Sequence, residues 1–309
     1  MVTLMPVSLK TTDENPEYTL TRILADAIDQ RKVPAGASAV LGYSQHLNNE
    51  QQQQFVVRTE AGDYFVKRQP ESASSSEQFE AESHGLLTIA ASHSIRTAVP
   101  YATGSLDGYH YILLSHLSLA VHGDWRQAGQ QIARLHGWHA EQGYGFDTTS
   151  YCGATPLDNH WNTDWANFYT HQRIEPLLKA LTDKGEHITG ANRLLVKCEE
   201  ILKGHTPDAS LLHGDLWSGN IGFIPDPEGS VPVIYDPACY FGDAETDLAM
   251  TELFGRFPES FYQGYREFRA IDEGYEERRD LYQLFHLLNH ALLFSGHYAV
   301  QCRDLIRKL

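Results

Sequence analysis

Cysteine is scarce in this chain, and its spacing matches no known cysteine motif. The 309 residues include four cysteines, at positions 152, 198, 239 and 302, and none of them stands in a C-x-x-C pattern. Zinc ribbons and dithiol redox motifs depend on such close spacing, so neither is supported. We therefore expect four free, non-catalytic thiols in a reducing cytoplasm.

Long hydrophobic runs are also missing. No apolar stretch approaches the ~20 residues that a membrane-spanning helix needs. The amino-terminal sequence MVTLMPVSLK has too short an apolar run for a signal peptide. We expect a cytoplasmic protein with no membrane partner.

Positive charge is in deficit. Lysine and arginine total 24 against 40 acidic residues, which gives a formal net charge of −16. This field argues against nucleic acid or an anionic membrane surface as a partner and is compatible with a cationic substrate. A chain of this length can bury a large core, and a two-lobed or two-domain architecture is expected.

The most informative stretch is LLHGDLWSGNIGF at 211–223. Asp215 is followed five residues later by Asn220, and an apolar run at 231–235 leads into Asp236. Phosphoryl transfer with Mg²⁺ needs a carboxylate that meets the attacking hydroxyl, together with a carboxylate and an amide oxygen that hold the metal. The Asp-x-x-x-x-Asn spacing matches the catalytic loop of kinases, with Gly214 in place of the usual arginine. A plain turn is the alternative, and the length of the pattern disfavours it.

The sequence resembles the fructosamine kinase (ketosamine kinase) family, whose relatives are the aminoglycoside phosphotransferases and choline kinases. The segments that carry this resemblance are LLHGDLWSGN at 211–220, IYDPA at 234–238, FGDAETDLAM at 241–250 and YQLFHLLNH at 282–290. The resemblance implies an α+β, two-lobed protein-kinase-like fold. A small antiparallel β-sheet lobe with one helix would take up residues 1–115, and a larger, mainly helical catalytic and substrate lobe residues 116–309.

The same resemblance assigns roles in ATP binding. Lys67 would hold the phosphates and Glu82, on the next helix, would brace it; Glu80 competes for that role. The backbone of Ser115, His116 and Leu117 would meet adenine as the hinge between the lobes. The phosphate-covering loop departs from the family, because residues 42–48 contain one glycine where relatives are glycine- and serine-rich.

In the catalytic segment, the resemblance makes Asp215 the base and Asn220 and Asp236 the Mg²⁺ ligands. Asp247 would brace the catalytic loop, although an exposed acid in a first helical turn is the alternative. A second set would face the substrate, since aromatic faces suit sugars and cations and a carboxylate suits an amine. Its members are Trp161, Asp164, Trp165, Trp217 and His290, with one of Trp161 and Trp165 expected to be a core anchor instead.

Local patterns give a coarse map of the elements. Apolar periodicity predicts helices over 20–32, 76–91, 125–141, 159–180, 187–203, 258–270 and 277–298, and strands over 37–42, 55–59, 64–67, 100–104 and 109–114. On the helix at 76–91 the expected inward residues are Phe79, Leu86, Leu87 and Ala90.

The function implied is ATP-dependent phosphorylation of the sugar 3-hydroxyl of ketosamines, the fructosamine or ribulosamine adducts of amines, with Mg²⁺ as cofactor. Such a step would promote release of the amine and so repair glycation. Two alternatives stay open at this point. One is an aminoglycoside- or choline-type phosphotransferase on the same scaffold. The other is a non-catalytic pseudokinase that binds nucleotide or a glycated partner.

Overall fold

The computed structural model describes residues 16–72, 74–120, 122–188, 190–227 and 229–309. The amino-terminal segment MVTLMPVSLK, on which the signal-peptide expectation rests, lies outside these ranges. The helices are α1 (Pro16–Asp29), α2 (Ser75–Ala91), α3 (Trp125–Leu135), α4 (Trp165–Tyr169), α5 (Glu175–Asp183), α6 (Ala191–Leu202), α7 (Ala244–Leu253), α8 (Glu259–Arg266), α9 (Tyr275–Phe294) and α10 (His297–Ile306). The strands are β1 (Val40–Asn48), β2 (Gln53–Thr59), β3 (Gly62–Pro70), β4 (Arg96–Thr97), β5 (Pro100–Leu106), β6 (Tyr109–Ser115), β7 (Ser150–Cys152), β8 (Thr155–Leu157), β9 (Ser210–Leu212), β10 (Ile221–Asp226), β11 (Gly229–Ile234) and β12 (Tyr240–Gly242).

Two units make up the chain. The first takes in the residues up to Glu80 together with Val99–Leu117, and the second takes in Ala81–Ala98 and Ser118–Leu309. Helix α2 therefore contributes residues to both. The expected division into lobes at 1–115 and 116–309 stays a prediction.

The first unit is built on a five-stranded sheet with the order β1-β2-β3-β6-β5. All of its neighbouring strands pair antiparallel. Helix α1 buries Leu20, Ile23 and Leu24, which lie four residues or fewer apart and so share one helical face. These side chains form one core cluster with Phe55 and Val66 of the sheet.

The predicted phosphate-covering loop is wrong in its placement. Residues 42–48 belong to β1, which begins at Val40 and pairs with β2, and the chain turns back after Asn48. Residues Ala35–Ser38 form a short 3-10 turn rather than the start of a strand. The polar sequence is compatible with a strand because β1 is at the edge of the sheet, where both faces can meet water.

Helix α2 begins and ends close to the predicted bounds, but its inward face was assigned wrongly in part. Phe79 and Leu86 are buried, as expected, and Ile89 is buried as well. Leu87 is 53% exposed and Ala90 is also exposed. The buried positions at 79, 86 and 89 are spaced by seven and three, which keeps them on one helical face.

The second unit carries most of the helices, and two predicted helices end earlier than expected. Helix α3 stops at Leu135, so Trp138 lies beyond it and is 37% exposed. The helix predicted over 277–298 is broken after Phe294, where Ser295 and Gly296 have φ angles of 54° and 72°. Positive φ angles are incompatible with a continuous right-handed helix, so α10 begins as a separate element.

Short strands of the second unit position the candidate site. β9 pairs antiparallel with β12, and β10 pairs antiparallel with β11, which also pairs in parallel with β4. Residues 213–220 connect β9 to β10, and Asp236 follows β11 by two residues. Across the residues that the structure describes, we find no helix with the length and apolar character required to cross a membrane.

Candidate active site

The loop from His213 to Asn220 is shaped by a glycine. Gly214 has φ +82°, a left-handed conformation that strains other residues. A Cβ atom at this position would lie 2.1 Å from the carbonyl oxygen of Ala238. The Ala238 amide also donates to the carbonyl oxygen of His213 (2.8 Å). The close approach of these two segments explains glycine at the position where kinases usually carry arginine.

Asp247 of α7 fixes this loop through hydrogen bonds to its backbone. Its Oδ2 accepts a hydrogen bond from the His213 amide (2.7 Å) and its Oδ1 accepts one from the Gly214 amide (2.9 Å). His136 forms a hydrogen bond to the same carboxylate through Nε2 (3.2 Å) and one to the Tyr265 hydroxyl through Nδ1 (2.8 Å). Burial alone would raise the pKa of Asp247, but these hydrogen bonds and nearby charges lower it. Asp247 is 1% exposed, so the exposed-acid alternative is wrong.

His213 is a buried structural residue of the loop. Burial is the largest influence and lowers its pKa below the usual value for histidine. The ring nitrogens fit the neutral form, since Nε2 donates to the Tyr235 carbonyl (2.9 Å) and Nδ1 accepts from the Asp215 amide (3.2 Å). His213 thereby fixes the backbone on both sides of the strand hairpin that follows it.

Asp215 has the electrostatics of a proton acceptor. Burial and the charge of Asp247 raise the pKa of its carboxyl to about 7, with a further contribution from Asp236 and an opposing one from a hydrogen bond to Asn220. Its Oδ2 accepts from Asn220 Nδ2 at 3.2 Å. Its Oδ1 is buried with no hydrogen-bond partner and lies 3.7 Å from His286 Nδ1. A pKa near neutrality suits general-base chemistry.

Asn220 and Asp236 supply oxygen ligands of the kind that Mg²⁺ prefers. The Asn220 amide nitrogen donates to the Asp215 backbone oxygen (2.9 Å) as well as to its carboxylate, so its carbonyl oxygen is the group that could take a cation. Asp236 is exposed and has φ +56°, a conformation uncommon for residues other than glycine. The negative charge of Asp236 helps to raise the pKa of Asp215, so a cation here would relieve repulsion. The donor set therefore fits Mg²⁺.

Trp217 stands at the surface of the catalytic loop and is 37% exposed. Its indole covers Gly219, where a Cβ atom would lie 2.3 Å from the ring. It meets Phe254 edge-on at a centroid distance of 6.3 Å, and Phe254 packs against His290 at 4.7 Å. His290 is half-buried and joins this aromatic group, and its place near the substrate stays a prediction.

The segment at 161–165 corrects the prediction for Trp165 and leaves those for Asp164 and Trp161 open. Trp165 is 2% exposed and donates its indole N–H to the Tyr282 hydroxyl (2.9 Å), so it is a core residue and faces no substrate. Asp164 caps α4 by accepting from the Asn167 amide (2.9 Å) and is exposed, and its contact with substrate stays a prediction. Trp161 is half-buried beside Phe241 and stays the substrate candidate of the pair.

The residues assigned to ATP binding occupy defined positions within their own units. Lys67 lies on β3, opposite Gln54 of β2 and Ile112 of β6, and is 4% exposed. On α2, Glu82 is half-buried. Glu80 is exposed and accepts a hydrogen bond from Ser76 Oγ (3.1 Å). Their roles stay predictions.

The expected hinge follows directly from the end of β6. The Ser115 amide donates to the Val99 carbonyl, and its hydroxyl accepts from the Val99 amide, both at 2.9 Å. The His116 amide donates to the Asp63 carbonyl (3.4 Å). Leu117 is the last residue of the first unit. Contact of this segment with adenine stays a prediction.

Two histidines outside the predicted site residues contact the candidate site. His136 is fully buried in the core, and it also forms a hydrogen bond to the bracing Asp247. His286 lies four residues before His290 on α9, and its neighbour across the site is Asp215. Spacing within one helix could not reveal either contact, because both partners come from distant parts of the chain.

Comparison with protein families gives one match across most of the chain. The model of the family described as fructosamine kinase matches residues 35–309. A protein of Vibrio parahaemolyticus named "Probable ketoamine kinase" is 39% identical over 235 residues, which is 75% of this chain and 80% of the relative. A chloroplastic protein-ribulosamine 3-kinase of Oryza sativa subsp. indica is 36% identical over 261 residues, covering 81% of this chain and 73% of the relative.

Solved structures show the same architecture. A crystal structure from Haemophilus somnus, provisionally assigned as a fructosamine-3-kinase, superposes with a TM-score of 0.83 at 28% identity, covering 94% of this chain and 97% of the other. An aminoglycoside phosphotransferase superposes with a TM-score of 0.59 at 14% identity, covering 92% and 98%, and shows the fold alone. The predicted protein-kinase-like α+β fold is confirmed.

Proposed function

The chain belongs to the fructosamine kinase family, and on this premise we propose that it phosphorylates the sugar 3-hydroxyl of ketosamines. It is an ATP-dependent small-molecule kinase by family. The proposal adds the acceptor class, the position of the hydroxyl and the residues that act. Release of the amine from the phosphorylated adduct would make this a deglycation step.

The observation that carries the proposal is the setting of Asp215. Its loop is fixed by two backbone hydrogen bonds to Asp247, and Asn220 and Asp236 stand beside it. A side chain held in this way can orient an acceptor hydroxyl and take its proton as the hydroxyl attacks phosphorus. Positioning of this kind accounts for much of the catalysis in phosphoryl transfer. The presence of Asp215, Asn220 and Asp236 together disfavours a non-catalytic pseudokinase.

Asn220 and Asp236 would hold Mg²⁺ through their side-chain oxygens. A bound Mg²⁺ neutralises charge on the phosphates of the nucleotide. Lys67 would contact the phosphates, with Glu82 as its partner, and the backbone at 115–117 would receive adenine. Each of these roles follows from the family pattern together with the element on which the residue lies.

Trp217 would form the wall of the acceptor site. An exposed indole two residues from the base lies close to any hydroxyl that the base can reach. Flat aromatic faces pack against sugar C–H groups and attract protonated amines. The net charge of −16 favours the same cationic class of acceptor.

Product analysis tests the proposal directly. Purified protein is incubated with Mg–ATP and a ribulosamine or fructosamine, and the product is examined by mass spectrometry and ³¹P–¹H correlation. We expect one added phosphate on the 3-oxygen of the sugar. Phosphate at another oxygen, or no phosphorylated ketosamine in the presence of active ATP turnover on another alcohol, would contradict the assignment.

A further inference from the structure

The inner face of Asp215 is lined by two residues that the proposed function does not use. Cys152 ends β7, His286 lies on α9, and both are 3% exposed. One ligand atom from each of Cys152, Asp215 and His286 lies within 4.8 Å of the other two. Three distant segments of the chain thus converge on one point.

The polar atoms at this point are unsatisfied. Asp215 Oδ1 and His286 Nδ1 are both buried, both lack a hydrogen-bond partner, and lie 3.7 Å apart. A buried polar atom without a partner costs about 1–3 kcal/mol, and a catalytic role or a bound ion can account for it. Here two such atoms face each other beside a thiol.

The second such cluster among the described residues provides a contrast. His205, Asp243 and Glu245 also lie within 4.8 Å of one another. In that cluster His205 Nε2 donates to Asp243 (2.7 Å), and Arg278 binds both oxygens of Glu245 at 2.7 and 2.8 Å. The ligand atoms of this cluster already form hydrogen bonds, and the Arg278 guanidinium supplies the positive charge. The cluster is therefore an ion-pair network.

We propose that Cys152, Asp215 and His286 form a Zn²⁺ site whose occupation blocks the kinase. A thiolate, an imidazole nitrogen and a carboxylate oxygen are typical zinc ligands, whereas Mg²⁺ takes oxygen ligands. Tetrahedral zinc with ordinary bond lengths separates its ligand atoms by about 3.3–3.6 Å. The 3.7 Å between Asp215 Oδ1 and His286 Nδ1 is already close to that separation.

The access to the cluster from solvent and the charge of its ligands are also compatible with a bound zinc ion. The Asp215 side chain is 19% exposed, so the carboxylate links the buried cluster to solvent. When the S–Zn bond forms, the thiol proton of Cys152 passes to solvent, and the thiolate and the carboxylate together balance the charge of the ion. The imidazole of His286 binds as the neutral form. Zinc on Asp215 removes the proposed base, so the inhibitory part of this inference rests on the proposed function.

Binding is tested first without nucleotide or acceptor. Co²⁺ is titrated as a spectroscopic probe, and Zn²⁺ affinity is measured by competition with a chromophoric chelator. We expect one ion per chain and a cobalt–thiolate charge-transfer band. Cys152→Ala should abolish the band, and His286→Asn should weaken Zn²⁺ binding by at least about tenfold. Cys198→Ala is the matched control, since Cys198 is buried in α6 outside the cluster.

Inhibition of kinase turnover is then measured at saturating Mg–ATP with buffered free Zn²⁺. The rate of each variant is expressed relative to its own rate without zinc. We expect Cys152→Ala and His286→Asn to need at least about tenfold more zinc for half-inhibition, and Cys198→Ala to match the wild type. Absence of one-to-one binding, or equal binding by all variants, would overturn the site. Binding as expected without inhibition would overturn its blocking role and count against Asp215 as the base.

Discussion

Asp215 presents its two carboxylate oxygens to different surroundings. Oδ2 accepts from Asn220 at 3.2 Å, whereas Oδ1 is buried beside His286. The raised pKa of about 7 reflects burial first and the charge of Asp247 second. A carboxylate in this state is a better proton acceptor than an exposed aspartate.

Replacing this carboxylate tests its role. Asp215→Asn keeps the shape of the side chain and removes the base, so we expect kcat to fall by ~10²–10⁴. Nucleotide affinity should change little, because Asp215 is assigned no contact with ATP. Asp304→Asn on α10 serves as the matched control for an acid-to-amide change at the surface. Near-normal turnover in purified Asp215→Asn would remove the residue from the mechanism.

Trp217 and Trp165 make a paired prediction, since one is 37% and the other 2% exposed. Trp217→Ala should raise KM for ketosamines and lower kcat, with little change in melting temperature or ATP affinity. Trp165→Ala should instead lower the free energy of unfolding by about 3–5 kcal/mol, as buried aromatic truncations do. Kinetics and thermal melts on both variants separate the roles. A large loss of stability with normal kinetics in Trp217→Ala would reject the substrate wall.

At the scale of elements, α7 determines the conformation of the catalytic loop through Asp247. Asp247→Asn leaves one amide oxygen for two backbone donors, the amides of His213 and Gly214. One buried donor then faces an NH₂ group, and we expect a loss of about 1–3 kcal/mol in unfolding free energy.

The kinetic readout of the same variant separates bracing from simple stability. Below its melting temperature, Asp247→Asn should show a lower kcat with a nearly unchanged KM for ATP. Unchanged kcat in a destabilised Asp247→Asn protein would mean that the carboxylate supports the fold alone.

Helix α2 offers a second test at this scale. Glu80 is exposed and Glu82 half-buried, and only the latter is assigned to brace Lys67. We expect Lys67→Ala and Glu82→Ala to raise KM for ATP, and Glu80→Ala to leave it unchanged. Greater damage from Glu80→Ala than from Glu82→Ala would reverse the assignment.

Sequence patterns predict the presence and type of the helices and strands better than the residues at which they begin and end. The hairpin of β2 and β3 follows from β-branched and aromatic alternation around a turn, and the structure has it there. Strand β1 extends six residues beyond the strand predicted over 37–42, because its edge position allows polar residues on both faces. The break between α9 and α10 depends on the positive φ at Ser295, which residue identity does not require.

The candidate site was predictable where one short segment carries it. Asp215 and Asn220 stand within five residues of each other, so a motif can contain them both. His136 and His286 reach the same site from α3 and α9, and only folding brings them there. One of Trp161 and Trp165 is expected in the core, but sequence alone does not distinguish the buried indole from the exposed one, and the structure shows that it is Trp165.

At the scale of the whole molecule, the surplus of negative charge bears on the choice of acceptor. A net charge of −16 attracts cationic molecules over distances up to about a Debye length, ~8 Å at physiological salt. ATP is an anion that the net negative charge repels, so its binding depends on cations placed within its site. Aminoglycosides and choline are cationic too, so charge alone does not select among amines. We propose that the aromatic wall at Trp217 makes this selection.

The most direct test of ketosamine kinase activity is ATP turnover against a panel of acceptors. The panel holds ribulosamines, fructosamines, aminoglycosides and choline at equal concentrations, assayed with wild-type protein and with Asp215→Asn as the catalytic blank. We predict turnover on the ketosamines that exceeds turnover on aminoglycosides and choline and is lost in Asp215→Asn. Preferred turnover on an aminoglycoside or choline, or ketosamine turnover that Asp215→Asn retains, would contradict the account.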